Sequence, residues 1–153
     1  MSLLSELDPQ LTGLQQLHAL IARGVQPTIH DTLDIALVSA EEGFVVVEAR
    51  PSGKHLNPAG IVQGGYVAAV MDTACGCAVH SVLPPSTAFT TLELKVAYHR
   101  AVTTDTGVLR AEGRILSSGR RAAFSEAKVF DAAGKLIASA TSSLLVMPLT
   151  PKG

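Results

Sequence analysis

Residues 64–82 read GGYVAAVMDTACGCAVHSV. Val67, Val70, Met71, Ala74, Cys75, Ala78, Val79 and Val82 recur at spacings of three and four, the period of an α-helix. The positions between them are also mostly small or apolar. A helix that is apolar nearly all round is buried on most sides, so this segment predicts a central helix over 64–82. Pro84-Pro85 prevents its continuation.

The chain after the prolines reads as strands over about 87–99, 106–117, 121–131 and 135–147, with Ser118-Gly119 and Ala133-Gly134 as hairpin turns. These runs are longer than ordinary strands and suggest a β meander. Before the helix, Leu33, Ile35 and Leu37 alternate with Asp34 and Ala36. Glu41-Glu42-Gly43 forms a turn, and Phe44–Glu48 is rich in β-branched residues. Pro51-Ser52-Gly53 opens a loop that runs to Gly60. The N-terminal stretch, about residues 1–24, predicts a helix with Asp8 as N-cap, Pro9 at its first position and Gly24 as its stop. Leu11, Leu14, Leu17, His18 and Ile21 lie on one face, and Gly13 weakens the helix slightly. Long antiparallel strands with one apolar helix imply an α+β layer architecture, a curled sheet wrapped around that helix.

At 153 residues the chain makes one domain, 1–153, with no repeat or linker. Hydrophobic residues are 47% and charged residues 16%, a low charge content that implies apolar surface covered by another copy. A net charge of −1, no Trp and six other aromatics argue against a nucleic-acid binder. Cys75 and Cys77 are too few and too close for a disulfide framework and fit a reducing cytosol. Residues 1–7 lack the basic start of a signal peptide. The uncharged run Leu56–Met71 is interrupted by Asn57, Pro58, Gln63 and three glycines, so no membrane span is expected. These readings together imply a cytoplasmic protein. Residues 1–92 carry three basic and eight acidic side chains, and residues 93–153 carry nine and five. The asymmetry is either scatter or a docking side for an anionic small molecule.

Asp72 is the single Asp, Glu, Lys or Arg in segment 56–92. It sits mid-helix with no polar stripe to belong to. An isolated carboxylate in apolar surroundings is a candidate base or nucleophile; the plainer reading is an Asp on the one wet edge of the helix. The second feature is Asn57-Pro58-Ala59-Gly60-Ile61-Val62-Gln63-Gly64-Gly65. Glycines at a helix start let a ligand approach the backbone. The free N–H groups there carry the positive end of the helix dipole and can stabilise an oxyanion. Its plainer reading is a tight turn whose amides serve the loop backbone. The two Cys fit small-residue packing better than a metal site, and the five His show no ligand spacing, with His55 closest to the turn.

Taken together, these residues resemble the hotdog-fold thioesterases of the phenylacetate-degradation (PaaI-like) family. Its pattern is N-P-x-G-x-x-H-G-G, with Asp eight residues after the first glycine of the pair. A strand of the type T-x-x-L-x-V-x-Y follows, and then a hairpin with Gly-Arg. The matching segments here are Thr90–Tyr98 (TTLELKVAY), Ala111-Glu112-Gly113 and Gly119-Arg120-Arg121-Ala122-Ala123, and the resemblance extends from about Leu17 to Val146. One departure is Gln63, where the family usually has His. A Gln amide donates a hydrogen bond but carries no proton.

The resemblance implies hydrolysis of an aromatic or medium-chain acyl-CoA without metal or redox cofactor. Asp72 would be the nucleophile or the base that activates water. The Gly64 N–H would polarise the thioester carbonyl, with Gly65 beside it and Gln63 and Asn57 positioning substrate or water. Thr91, or Thr90 if the register is one off, would bond Asp72 or the water. Coenzyme A would lie near Tyr98 and the turn Ser118-Gly119-Arg120-Arg121, where arginines suit phosphate; the plainer reading of those arginines is two solvated hairpin residues. The low charge content and the nearly all-apolar helix imply a homodimer as the minimal unit, and the resemblance suggests a tetramer. A non-catalytic acyl-CoA sensor of the same fold is the alternative. A dehydratase ranks lower, since segment 56–79 offers no His.

Helix spacing implies active sites shared between the two subunits of that dimer. Gly64 and Asp72 are eight residues apart on one helix, about 12 Å along the axis. A carbonyl held at Gly64 needs its attacking group within about 3–3.5 Å, so the two cannot serve one carbonyl from the same chain.

Overall fold

The computed structural model describes residues 3–149. The extreme ends of the expected 1–153 domain, residues 1–2 and 150–153, lie outside the described residues. Among the described residues three α-helices and six strands follow in the order α1 (Gly13–Arg23), α2 (Thr28–Leu33), β1 (Ile35–Glu41), β2 (Phe44–Ala49), α3 (Gly64–His80), β3 (Thr87–Tyr98), β4 (Leu109–Ser118), β5 (Ala122–Phe130) and β6 (Leu136–Pro148).

The strands form one antiparallel sheet of order β1-β2-β4-β5-β6-β3. It curls around α3, which packs against all six strands. Val70, Met71, Ala74, Cys75, Ala78 and Val79 have no exposed surface. This is the hotdog arrangement, a central apolar helix in a wrapped antiparallel sheet with a further helix, α1, at the N-terminus. At Gly113 of β4 a side chain would collide with the Ala74 carbonyl, so glycine lets the sheet close onto the helix.

Four local expectations are corrected. Asp8 does not cap the first helix. Its carboxylate accepts the Gln10 N–H and its carbonyl the Leu11 N–H, closing a turn. Thr12 is the N-cap and forms a capping box with Gln15. Gly13 is the residue at which α1 meets α3: its N–H donates to the Leu83 carbonyl, and a Cβ there would strike the His80 carbonyl. Leu33 and Asp34 belong to no strand. Leu33 ends α2, and Asp34 caps it in the left-handed conformation (φ 52°). Lastly, β3 does not continue into a meander with β4. It pairs with β6, so only β4-β5-β6 run as consecutive hairpins. That leaves the 12-residue β3 as an edge strand, with Leu92 63% and Tyr98 52% exposed. The central helix also ends slightly early, at His80. The Ser81 hydroxyl takes over there, donating to the Ala78 carbonyl and accepting the Gly43 N–H.

Candidate active site

Asp72 is partly buried on the side of α3 that faces β3. The Thr91 hydroxyl donates to its Oδ1 at 2.9 Å. Thr90, the alternative neighbour, is exposed. Strand alternation sends the two threonines to opposite faces, and only Thr91 points at the helix. The carboxylate's other oxygen has no hydrogen-bond partner among the described residues.

The helix start lies at the opposite end of β3. Gln63 is the N-cap, its side-chain amide makes no capping bond, and its N–H donates to the His55 carbonyl at 2.7 Å. The Tyr98 hydroxyl donates to the Gly64 carbonyl at 2.7 Å. Its ring lies so close that a Cβ on Gly64 would sit 3.2 Å from the phenol. Asn57 Oδ1 accepts the N–H groups of Ala59 (2.9 Å) and Ile61 (3.3 Å), so half of its amide serves the loop and the NH2 half is left over.

Two cavities flank this helix start. Asn57, Gly64 and Tyr98 share one of about 270 Å³ with Arg100. Gln63 and Gly65 share another of about 370 Å³ with Lys54, His55 and Tyr66. Arg100 and Lys54 were missed in the sequence. Lys54 is the one charged side chain between Pro51 and Met71, which was the available signal. His55 proves to be a fixed part of the wall: Nδ1 accepts the Ser52 N–H at 3.0 Å, and the ring stacks on Tyr66 at 4.2 Å.

Ser118, Gly119, Arg120 and Arg121 form the exposed β4–β5 turn, closed by the Gly119 N–H on the Ala122 carbonyl at 2.8 Å. Through the register Ala122–Leu145–Thr90 the turn belongs to the Thr90 end of the sheet. Tyr98 is eight residues along β3, about 26 Å away along the strand. One chain therefore does not bring Tyr98 and this turn together. Nor does it bring Gly64 to Asp72, as the helical rise requires.

Burial pushes the Cys75 thiol up to about 11 and the Cys77 thiol up to about 12, so both are protonated and unreactive at neutral pH. Among the described residues no group of three or more His, Cys, Asp or Glu could hold a metal. Among those residues, too, no helix is long and apolar enough to cross a membrane.

The thioesterase superfamily pattern matches residues 59–138, just over half of the chain, spanning the helix start, Asp72, Thr91 and the β4–β5 turn. Solved structures agree. A conserved protein, PA5202, from Pseudomonas aeruginosa is 28% identical, with a TM-score of 0.75 over 80% of this chain and 95% of that one. The protein smu.793 from Streptococcus mutans, solved bound to acetyl CoA, is 26% identical, with a TM-score of 0.68 over 74% and 89%. The PaaI protein of the E. coli phenylacetic acid degradation operon is 20% identical, with a TM-score of 0.77 over 92% and 96%, a likeness of fold. Among curated proteins no sequence matches.

Proposed function

The chain belongs to the thioesterase superfamily, and on that premise we propose that it hydrolyses the thioester of an acyl-CoA to a free acid and coenzyme A. The observation that carries this reading is the Thr91–Asp72 pair. Thr91 engages one carboxylate oxygen at 2.9 Å and orients the other. That second oxygen either attacks the thioester carbon directly, leaving an acyl anhydride on Asp72 that a water then hydrolyses to the free acid and the carboxylate, or takes a proton from the water that attacks the carbon. Collapse of the tetrahedral adduct breaks the C–S bond, and the sulfur leaves as thiolate and takes up a proton. The reading needs neither a metal nor a redox cofactor.

The oxyanion formed on the way needs donors, and the Gly64 and Gly65 N–H groups at the start of α3 have no partner within the helix. They serve the Asp72 of a second copy. β3 is an unpaired edge of 12 residues, and such an edge pairs readily with another strand. Antiparallel pairing of two β3 strands, with Tyr98 of one opposite Thr91 of the other, joins the Tyr98–Gly64 bond to the Thr91–Asp72 bond. Each site then takes Asn57, Gln63 and Gly64 from one copy and Asp72 and Thr91 from the other. The same pairing carries Tyr98 of one copy toward the Ser118–Arg121 turn of the other. Arg120 and Arg121, with Lys54 and Arg100, supply cations for the phosphates of coenzyme A. A PaaI-like position within the superfamily and a tetrameric assembly belong to the same reading.

The test is thiol release from a panel of acyl-CoA esters with phenylacetyl, hydroxybenzoyl and straight-chain acyl groups. Turnover of at least one ester is expected. Saturable binding without turnover would favour the non-catalytic acyl-CoA sensor.

A further inference from the structure

Thr91 and Tyr98 both turn toward α3, Thr91 to the Asp72 carboxylate and Tyr98 to the Gly64 carbonyl. Leu94 and Val96, between them, pack against the core on the same side. On a regular strand two residues seven positions apart point to opposite faces. The register of β3 on β6 shows how both reach the helix. Thr91 lies opposite Leu144 and Glu93 opposite Ser143, so Leu92 is an extra residue, a β-bulge. The bulge resets the alternation. Before it Phe89 and Thr91 face inward; after it Leu94, Val96 and Tyr98 do.

A bulge disrupts the ladder locally, and the backbone groups beside it need partners. Ser142 of β6 supplies one. It lies opposite Leu94, and its hydroxyl donates to the Glu93 carbonyl at 2.9 Å, directly after the bulged residue. Ser142 is buried on the helix-facing side of β6, between the inward positions of Ala140 and Leu144. A hydroxyl among apolar neighbours costs stability unless it is bonded. This one is bonded to the backbone of the bulge.

The position of the bulge decides what Asp72 meets. β3 is an edge strand, with β6 alone to define its register. If the extra residue moved toward the start of β3, so as to precede Thr91, the alternation set by Leu94 would run back through Leu92. Leu92 would then face the helix and Thr91 would face outward. A leucine side chain donates no hydrogen bond to a carboxylate.

We infer that Ser142 is a positioning residue for the proposed reaction: by holding the Glu93 carbonyl it pins the bulge at Leu92 and keeps Thr91, rather than Leu92, against Asp72. This rests on the thioesterase reading. Ser142 bonds Glu93 and not the carboxylate, so it acts through Thr91.

The experiment is a double-mutant cycle on kcat and KM for the best acyl-CoA ester, over wild type, Ser142→Ala, Thr91→Val and the two combined, with Ser142→Thr as the variant that keeps the hydroxyl. Ser142→Ala should lower kcat about tenfold through the misplaced threonine and leave KM little changed. Ser142→Thr should keep most of the rate. In the Thr91→Val background Ser142→Ala should cost nothing further, because its route to the carboxylate is already cut. Losses that multiply to about a hundredfold would overturn the inference and leave hydrolysis standing. So would a Ser142→Ala enzyme as fast as wild type, or a Ser142→Thr enzyme as slow as Ser142→Ala. If Ser142→Ala does not fold, Ser142→Cys takes its place, a side chain of similar size and a much weaker donor. If wild type hydrolyses no ester, the thioesterase reading fails by itself. The same cycle is then read by urea denaturation at matched protein concentration. A smaller stability loss from Ser142→Ala in the Thr91→Val background than in wild type supports the inference, and equal losses in both overturn it.

Discussion

The Thr91 hydroxyl donates to Oδ1 of Asp72 at 2.9 Å, across the seam between the central helix and the edge strand of the sheet. This bond joins an otherwise apolar helix to the strand on which a second copy can dock. It leaves one carboxylate oxygen free and fixes the direction in which that oxygen points. Hydrogen bonds to charged groups are worth about 1.5–3 kcal/mol.

Thr91→Val keeps the shape and removes the donor. We expect kcat to fall by about tenfold or more, the equivalent of about 1.4 kcal/mol or more of barrier, with KM little changed. Thr91→Ser should restore most of the rate. If valine and serine behaved alike, the hydroxyl would have no part in orienting the carboxylate.

Sites built across two copies predict complementation. An Asp72→Ala chain mixed and refolded with an Asn57→Ala, Gln63→Ala chain forms mixed dimers with one intact site of two. Random pairing then gives about a quarter of wild-type activity from two inactive parents. Mixed dimers that form and show no activity would place the whole site within one chain.

His80 predicts a pH dependence of stability. Burial pushes its pKa down to about 4, whereas in an unfolded chain the ring titrates near 6.5. Between those values the unfolded state binds the extra proton. Stability is therefore full above about pH 6.5, falls as the pH drops toward about 4, and loses nothing further from this group below that. The full effect is on the order of 3 kcal/mol. Urea denaturation of wild type and His80→Gln at pH 7 and pH 4, at matched protein concentration, isolates the contribution. The variant should lose less stability than wild type over this interval; equal losses would show that the buried ring does not resist protonation.

The parts of the fold legible in the sequence are those with a strong local cause. Residues 64–80 are apolar on nearly every side and recur at spacings of three and four, so the central helix is visible in the sequence. Gly119 and Gly134 mark hairpin turns, and of the two Gly134 takes the left-handed conformation (φ 78°) that favours glycine. What was not legible depends on distant partners. Strand alternation says which face Thr91 and Phe89 present, but not that β3 lies beside β6. The six-residue α2 is too short to show a period, and Asp34 ends it in a conformation that no pattern announces. Asp8 reads as a cap because Pro9 follows it, while the capping box at Thr12 and Gln15 is the stronger local signal. At the site, Asp72 stood out because its neighbours are apolar. Arg100 and Lys54 did not, because nothing in their own segments shows that the helix start lies between them.

The most direct measurement is steady-state hydrolysis of the best acyl-CoA ester by wild type and Asp72→Asn, with circular dichroism and sedimentation confirming that fold and assembly are retained. Removing a catalytic base or nucleophile typically costs about two decades or more in rate. The predicted result is a loss of kcat of about a hundredfold or more in a correctly folded and assembled variant. Near-normal turnover by Asp72→Asn would contradict the account.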